Sequence, residues 1–91
     1  MRRIGIRRRA GGITVFAAPG ESEGPRAAFI ASRAVGSAVR RNRAKRRLRE
    51  AAARVPLRAG RDYVVTASHA VIEAPFEDLV AWLARAVTEE E

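Results

Sequence analysis

Residues 36–54 read GSAVRRNRAKRRLREAAAR and predict a single, strongly basic helix. At about 100° per residue, a set of mostly small side chains falls on the same side of this helix as Leu48: Ser37, Ala44, Ala51, Ala52 and Val55. So narrow a seam suits close packing on a sheet. Ser37 has the residue type and the position of an N-cap. Val39 falls opposite Leu48, so we expect the regular helix to begin only at about Val39 or Arg40.

Cations crowd this helix in places where they destabilise it. Eleven Lys or Arg residues lie from Arg33 to Arg61, against one acid, Glu50. In the first turns the helix dipole disfavours each cation by about 0.3 to 1 kcal/mol, and like charges one turn apart add about 0.2 to 0.5 kcal/mol per pair. Arg41 lies near the seam, so its head group is expected to reach past the start of the helix. A polyanion outside the chain would offset these costs, and arginine favours forked contacts to phosphate.

Charge is distributed unevenly along the chain. Residues 1–61 carry seventeen basic and three acidic side chains, a net charge of +14, whereas residues 62–91 carry one basic and seven acidic side chains, a net charge of −6. Together they give the net charge of +8 of the whole chain. This asymmetry predicts a polyanion-binding surface on the N-terminal two-thirds of the sequence.

Length and composition limit the class of protein. The 91 residues, 47% of them hydrophobic, suit one globular domain with a modest core. The chain has no Cys, so it can form neither a disulfide nor a thiolate metal site, which fits an intracellular, cytoplasmic setting. No apolar run reaches the roughly 18 residues that a membrane span needs.

Two strands are predicted before the basic helix. Residues 13–18, ITVFAA, are rich in β-branched and aromatic side chains and are bounded by glycine and proline. Residues 26–32 form the second strand, which we expect to be antiparallel to the first. Because both of its faces are apolar, this strand is expected to be central in the sheet. Residues 1–10 are expected to be a basic arm, mobile when free.

After the basic helix, residues 62–68, DYVVTAS, predict a third long strand, and residues 70–73 a short extension or edge piece. Pro75 suits the first turn of a last helix. Its apolar stripe recurs at helical spacing and comprises Phe76, Leu79, Val80, Leu83 and Val87, with Trp82 packing at its edge. Residues 89–91 form an acidic tail. We therefore expect a single α/β (α+β) domain over residues 1–91, a two-layer sandwich in which the basic helix and the C-terminal helix pack on a small sheet.

The run FIASRAVGSAVRRNRAKR, residues 29–46, resembles the signature of the protein subunit of bacterial ribonuclease P. That signature is a strand ending in a Ser-basic pair, a Gly-polar-Ala-Val turn, and then Arg-Asn-Arg-x-Lys-Arg on a helix. Five residues match the helical end of the signature residue for residue: Arg41, Asn42, Arg43, Lys45 and Arg46. The resemblance extends over most of the chain, from about Gly12 to Val87.

This resemblance implies a non-catalytic enzyme subunit, which assists an RNA subunit with bound Mg²⁺ in removing the 5′ leader from precursor tRNA. It implies that Arg41, Asn42, Arg43, Lys45 and Arg46 contact the RNA subunit. With the neighbouring cations they form the predicted RNA-binding set: Arg33, Arg40, Arg41, Asn42, Arg43, Lys45, Arg46 and Arg49. Asn42 could instead hydrogen-bond within the protein to hold the helix start. The strand, basic helix, strand unit predicts a crossover between parallel neighbours, and the resemblance implies that this crossover is left-handed, against the general preference. The family also has an N-terminal amphipathic helix, which this sequence does not show: we expect either that the protein lacks this helix or that its true start codon lies upstream.

Phe16 has two interpretations. By the resemblance, an aromatic side chain on the first strand faces a cleft that takes the single-stranded leader, where stacking of a base is worth about 1 to 3 kcal/mol. As a strand aromatic, Phe16 could equally pack in the core. Arg33 would supply phosphate contacts around the cleft, and so would Arg7, Arg8 and Arg9 if they lie ordered beside this strand.

The sequence shows no catalytic constellation of its own. Its acids form no paired-carboxylate motif, its serines lack a nucleophile elbow, and His69, the only histidine, suits a surface or strand-end position better than a metal site. That absence fits a subunit whose RNA partner performs the chemistry. The rival hypothesis is a ribosomal-type protein that only stabilises folded RNA. DNA and membrane binding are not expected, since there is no helix-turn-helix pattern and no bulky apolar helix face.

Overall fold

A computed structural model describes residues 5–20 and 23–88 of the chain. The three long strands and the two long helices that the sequence predicted are present with small changes of boundary. Two elements are additional, a strand before them and a 3₁₀ turn before the basic helix. In chain order the elements are β1 (Ile6–Ala10), β2 (Ile13–Pro19), β3 (Arg26–Ala31), a 3₁₀ turn (Arg33–Val35), α1 (Ala38–Ala52), β4 (Arg61–Ala67), α2 (Ala70–Glu73) and α3 (Phe76–Thr88).

The four strands form one mixed sheet in the order β1-β2-β4-β3. β2 pairs antiparallel with both β1 and β4, whereas β3 and β4 run parallel. α1 therefore connects two parallel neighbouring strands, which confirms the predicted crossover. The left hand of that crossover stays a prediction from the resemblance.

Both long helices pack on one face of the sheet. On that face β2 and β4 bury Ile13, Val15, Tyr63 and Val65, each at most 3% exposed. The helices complete the same apolar cluster with Ala44, Leu48 and Ala51 from α1 and Leu79, Leu83, Ala86 and Val87 from α3. This arrangement confirms the predicted two-layer α+β sandwich. It leaves the opposite face of the sheet for other contacts.

α1 is the element that the sequence predicted best. Its seam residues Ala44, Leu48 and Ala51 are completely buried, and the Ser37 side chain accepts a hydrogen bond from the backbone N–H of Arg40 at 3.3 Å. The N-cap is therefore confirmed. The helix begins at Ala38, slightly earlier than expected, because the cap fixes its first turn. Val39 lies within the regular helix and is exposed to solvent.

The predicted basic arm is wrong for residues 6–10, which form β1 on the edge of the sheet. Its ordering has a packing cause: the Trp82 side chain of α3 lies against the turn that joins β1 to β2. Gly11 in that turn has a φ of +55°, and a Cβ built there would overlap the indole ring. Residues 1–4 of the arm, and the acidic tail at 89–91, lie outside the described residues, as does any portion of the family's N-terminal helix.

The position of β3 was also predicted wrongly, because this strand lies at the edge of the sheet and pairs only with β4, in parallel. β4 takes the central position instead. Three of the six residues of β3 are alanines, which have little surface to bury, and Ile30 stays exposed, whereas Tyr63 and Val65 of β4 are buried. The apolar character of both faces of β3 therefore led to an overestimate of how deeply this strand is buried.

Residues 70–73 form the short helix α2 rather than a strand extension. Val71 of α2 is fully buried, and the carbonyl oxygens of Val71 and Ile72 accept hydrogen bonds from Arg47 of α1. A four-residue helix gives little periodic signal in a sequence. Its conformation depends on this contact with α1, far away in the chain.

Candidate nucleic-acid interface

The outward side of α1 carries polar side chains with no partner in the protein. Asn42, Arg43 and Arg46 are exposed and Lys45 is half-buried. Within residues 5–20 and 23–88, none of these four side chains makes a hydrogen bond, an ion pair or a ring contact. They are thus available to an external ligand. For Asn42 this arrangement favours an external contact over a role in holding the helix start.

Two other arginines of the predicted set turn back to the segment before the helix. Arg40 donates from Nε to the carbonyl oxygen of Val35 at 3.1 Å, and Arg41 donates from Nη1 to that of Gly36 at 2.8 Å. The prediction that the Arg41 head group reaches past the helix start is confirmed. Each guanidinium keeps further N–H groups free, so both remain able to contact an anion at this end of α1.

Three arginines of α1 and its C-terminal flank hold the helix in place. Arg47 Nη1 lies 2.6 Å from the carbonyl oxygen of Val71 and 2.8 Å from that of Ile72. The Arg49 and Arg54 guanidinium groups lie 5.7 and 5.2 Å from the centroids of two aromatic rings, those of Phe29 and Phe76 respectively. Contacts of this kind are attractive cation–π interactions. No sequence pattern assigned Arg47 a distinct role, because its partners are backbone groups more than twenty positions away.

Arg33 lies in the 3₁₀ turn between β3 and α1 and is exposed. This turn leads through Gly36, with a φ of +125°, into the N-cap of α1. Arg33 is therefore placed at the same end of α1 as the two arginines that turn back. The cations of the predicted set extend from this turn along the outward side of the helix.

The open face of the sheet carries Phe16, which is 38% exposed and so is not a core residue. In the register of the sheet Phe16 stands between Arg7 of β1 and Val64 of β4. Its ring lies over Gly5, where a Cβ would overlap it. Ile30 of β3 lies on the same face and is 46% exposed. The face thus combines apolar surface with cations at the β1 edge.

The three arginines of β1 that were predicted to lie around Phe16 are divided between the two faces of the sheet. Arg7 and Arg9 are exposed and share its face, since they pair with Phe16 and Thr14 of β2. Arg8 pairs with Val15 and therefore points to the helix-packed face, where it is half-buried. Its inclusion in the predicted cleft is wrong, because successive residues of a strand alternate between the two faces.

A pocket at one end of the sheet joins the open face to the approach of α1. Three separate segments line it with hydroxyl, backbone and basic groups: Arg9, Gly11, Gly12 and Thr14; Ser32 and Ala34; and Thr66, Ala67, Ser68 and His69. No carboxylate is among these lining groups. The sequence did not reveal this pocket, because the sheet brings the three segments together. His69 is exposed just after β4, so its predicted strand-end position is confirmed.

Potential metal ligands are dispersed over the described chain. Within residues 5–20 and 23–88, no three His, Cys, Asp or Glu side chains converge as a group that could hold a metal ion. Among the helices of the same residues, none has both the length and the apolar character to cross a membrane.

The fold and the charge distribution define a small α+β domain with a cationic crossover helix and an open, partly aromatic sheet face. A family model described as Ribonuclease P matches residues 2–90. The chain belongs to this ribonuclease P protein family.

Curated relatives named ribonuclease P protein component include those of Chloroflexus aggregans and Ruegeria pomeroyi. The first is 45% identical over 76 residues, covering 80% of this chain and 56% of the relative. The second is 49% identical over 72 residues, covering 75% of this chain and 58% of the relative. The chain thus spans somewhat more than half the length of these two relatives.

Solved structures share the fold at lower sequence identity. The RNase P protein from Thermotoga maritima superimposes with a TM-score of 0.80 at 24% identity, covering 96% of this chain and 84% of that protein. The Staphylococcus aureus RNase P protein gives a TM-score of 0.73 at 19% identity, covering 92% and 79%. These likenesses agree with the mixed sheet and the helices packed on one of its faces.

Proposed function

We propose that this chain acts as the protein component of a bacterial ribonuclease P. In this role it assists an RNA subunit in the endonucleolytic removal of the 5′ leader from precursor tRNA. The observation that carries the proposal is the row of unpartnered side chains on α1, Asn42, Arg43, Lys45 and Arg46, in a chain that belongs to this family. Folded RNA is the polyanion that we assign to this surface.

α1 and its approach bind the RNA subunit in this proposal. Arg43, Lys45 and Arg46 neutralise phosphates along the outward side of the helix, and Arg49 extends the row over the edge strand β3. Arg33, Arg40 and Arg41 contact phosphates at the N-terminal end. Asn42 supplies an amide that can both donate and accept hydrogen bonds. Because each phosphate contact releases counterions, the affinity falls steeply with salt concentration.

The open sheet face binds the single-stranded leader. Phe16 offers its exposed ring to a nucleobase, and stacking of this kind accepts any base. Arg7 and Arg9 lie on the same face and neutralise the leader phosphates beside the ring. α1 and this face thus bind two different RNA molecules, the RNA subunit and the precursor tRNA. The protein thereby holds substrate and RNA subunit together.

Hydrolysis of the phosphodiester is assigned to the RNA subunit, which works with Mg²⁺. We assign the Mg²⁺ to the RNA subunit, since within the described residues no three His, Cys, Asp or Glu side chains converge as a group that could hold a metal ion. The contribution of the chain is electrostatic: its cations reduce the repulsion between two RNAs and so allow them to approach. The proposed setting is the bacterial cytoplasm, with the RNA subunit and precursor tRNA as partners and neither DNA nor a membrane.

Reconstitution tests this function directly. The chain is added to its cognate ribonuclease P RNA at a Mg²⁺ concentration too low for the RNA to act efficiently alone, and cleavage of a 5′-labelled precursor tRNA is followed. We expect a large increase in the cleavage rate at the mature 5′ end. If the chain binds the RNA without any gain in rate, a purely structural RNA-binding role replaces the proposed one.

A further inference from the structure

Val39 is the most exposed large hydrophobic side chain among the residues that the structure describes. It is 78% exposed, compared with 46% for Ile30 and 38% for Phe16. Ile30 and Phe16 lie together on the open sheet face, whereas Val39 lies in the first turn of α1. Single exposed apolar residues are common on protein surfaces. The surroundings of Val39 are what make its exposure informative.

Val39 lies on the same side of α1 as the unpartnered polar row, one turn before the first residue of that row. With 3.6 residues per turn, Asn42, Arg43 and Arg46 project within about 60° of its direction. Val39 points directly away from Leu48, the completely buried centre of the seam. An apolar side chain therefore occupies the N-terminal end of the surface on which phosphates are expected to gather.

The neighbouring arginines do not shield this valine. Long basic side chains often cover apolar surface with their stems. Here Arg40 and Arg41 turn back to the carbonyl oxygens of Val35 and Gly36, behind the helix start. Val39 therefore remains exposed to solvent, and the cations Arg43 and Arg46 follow it along the same side of α1.

We infer that Val39 makes α1 selective for an unpaired nucleotide of folded RNA, whose base face it contacts while the neighbouring cations hold the flanking phosphates. This inference rests on RNA binding by α1 as proposed above. A continuous duplex keeps its base faces stacked on one another, so none of them is open to a valine of an approaching helix. An unstacked nucleotide exposes its base, which RNA-binding proteins commonly contact with apolar or planar side chains. The cationic surroundings favour RNA over an apolar protein surface.

The test compares two RNA hairpins of equal length, one fully paired and one with a short internal loop of unpaired adenosines. Val39→Thr is the informative variant, because threonine keeps the size and the β-branching and replaces one methyl by a hydroxyl. The native chain is expected to prefer the looped hairpin. Val39→Thr should weaken binding to the looped hairpin by about fivefold and binding to the paired hairpin by less than about twofold.

Two matched variants locate the effect. Arg46→Ala removes a phosphate contact, so it should weaken binding to both hairpins alike. It should also lower the slope of log affinity against log salt concentration by about one unit, whereas Val39→Thr should leave this slope unchanged. Phe16→Ala reports on the open sheet face. If Phe16→Ala abolishes the loop preference and Val39→Thr does not, the selectivity lies on the sheet and the inference is wrong.

The remaining outcomes separate the inference from the proposed function. Equal losses on both hairpins with Val39→Thr would show a general effect on α1 and would overturn the selectivity. A native chain that stimulates precursor tRNA cleavage but binds the two hairpins equally would overturn it as well, while leaving the proposed function in place. A native chain that binds neither hairpin nor ribonuclease P RNA would remove the basis of both. Circular dichroism of the variants checks that α1 is intact.

Discussion

Arg47 of α1 donates a hydrogen bond from Nη1 to the carbonyl oxygen of Val71, 24 positions further along the chain, at 2.6 Å. The same nitrogen lies 2.8 Å from the carbonyl oxygen of Ile72. An arginine directly beside the row assigned to RNA is thus directed inward and joins α1 to α2. The basic helix combines two tasks, and neighbouring arginines are divided between them.

Arg47→Met is expected to lower the free energy of unfolding by about 1.5 to 3 kcal/mol, since the methionine keeps an apolar stem but leaves two carbonyl oxygens without their charged donor. Arg46→Met is the matched control. Arg46 is exposed and makes no hydrogen bond, ion pair or ring contact with the described residues, so its replacement should change the stability by less than about 0.5 kcal/mol. Urea unfolding of both variants measures the difference. Equal stabilities would mean that the Arg47 contact contributes nothing to the fold.

Replacing Arg43 and Arg46 together by alanine is expected to weaken binding to ribonuclease P RNA without destabilising the protein. These cations lie three residues apart on α1 and repel each other, so their removal should leave the stability unchanged or slightly higher. Loss of two phosphate contacts should reduce the slope of log affinity against log salt concentration by about 1.5 to 2. Filter binding at several salt concentrations measures this slope. An unchanged affinity would exclude the outward row from the RNA interface.

α1 could be predicted from the sequence because its determinants are local. The cap at Ser37, the buried seam around Leu48 and the exposed cations all follow from helical periodicity within some fifteen residues. The resemblance of the surrounding run to a family signature added the expected function. Neither source showed which arginines the fold itself uses, since the partners of Arg47 and Arg54 belong to α2 and α3.

The arrangement of the strands could not be predicted in the same way. Which strand is central depends on pairing between distant segments, and the alternation within β3 carries no information about its neighbours. The ordering of β1 likewise depends on Trp82 of α3, more than seventy positions away. Alternation did contain one unused signal: it places Arg8 on the opposite face from Arg7 and Arg9 as soon as residues 6–10 are recognised as a strand.

Phe16→Ala is expected to weaken the binding of precursor tRNA by about 1 to 3 kcal/mol and to leave the binding of mature tRNA nearly unchanged, because only the precursor has a leader to stack on the ring. Fluorescence titration of the reconstituted enzyme with both RNAs measures the two affinities. Val15→Ala is the control, since Val15 is the adjacent strand residue on the buried face. It should lower the stability without distinguishing the two RNAs. Equal losses for both RNAs with Phe16→Ala would remove Phe16 from the leader site.

Gly11→Ala is expected to destabilise the protein by more than about 1 kcal/mol, because Gly11 has a φ of +55° and lies against the Trp82 ring. Since Trp82 is the single tryptophan of the chain, its fluorescence should shift toward that of a solvated indole as the turn moves away. Gly24→Ala is the matched control: a Cβ at Gly24 meets nothing within 4 Å, and its backbone φ is not positive. Thermal unfolding and emission spectra of both variants provide the comparison. If Gly11→Ala matched Gly24→Ala in melting temperature and emission, the contact between this turn and α3 would not order β1. The ordering of β1, which places Arg7 and Arg9 on the open face, would then have another cause.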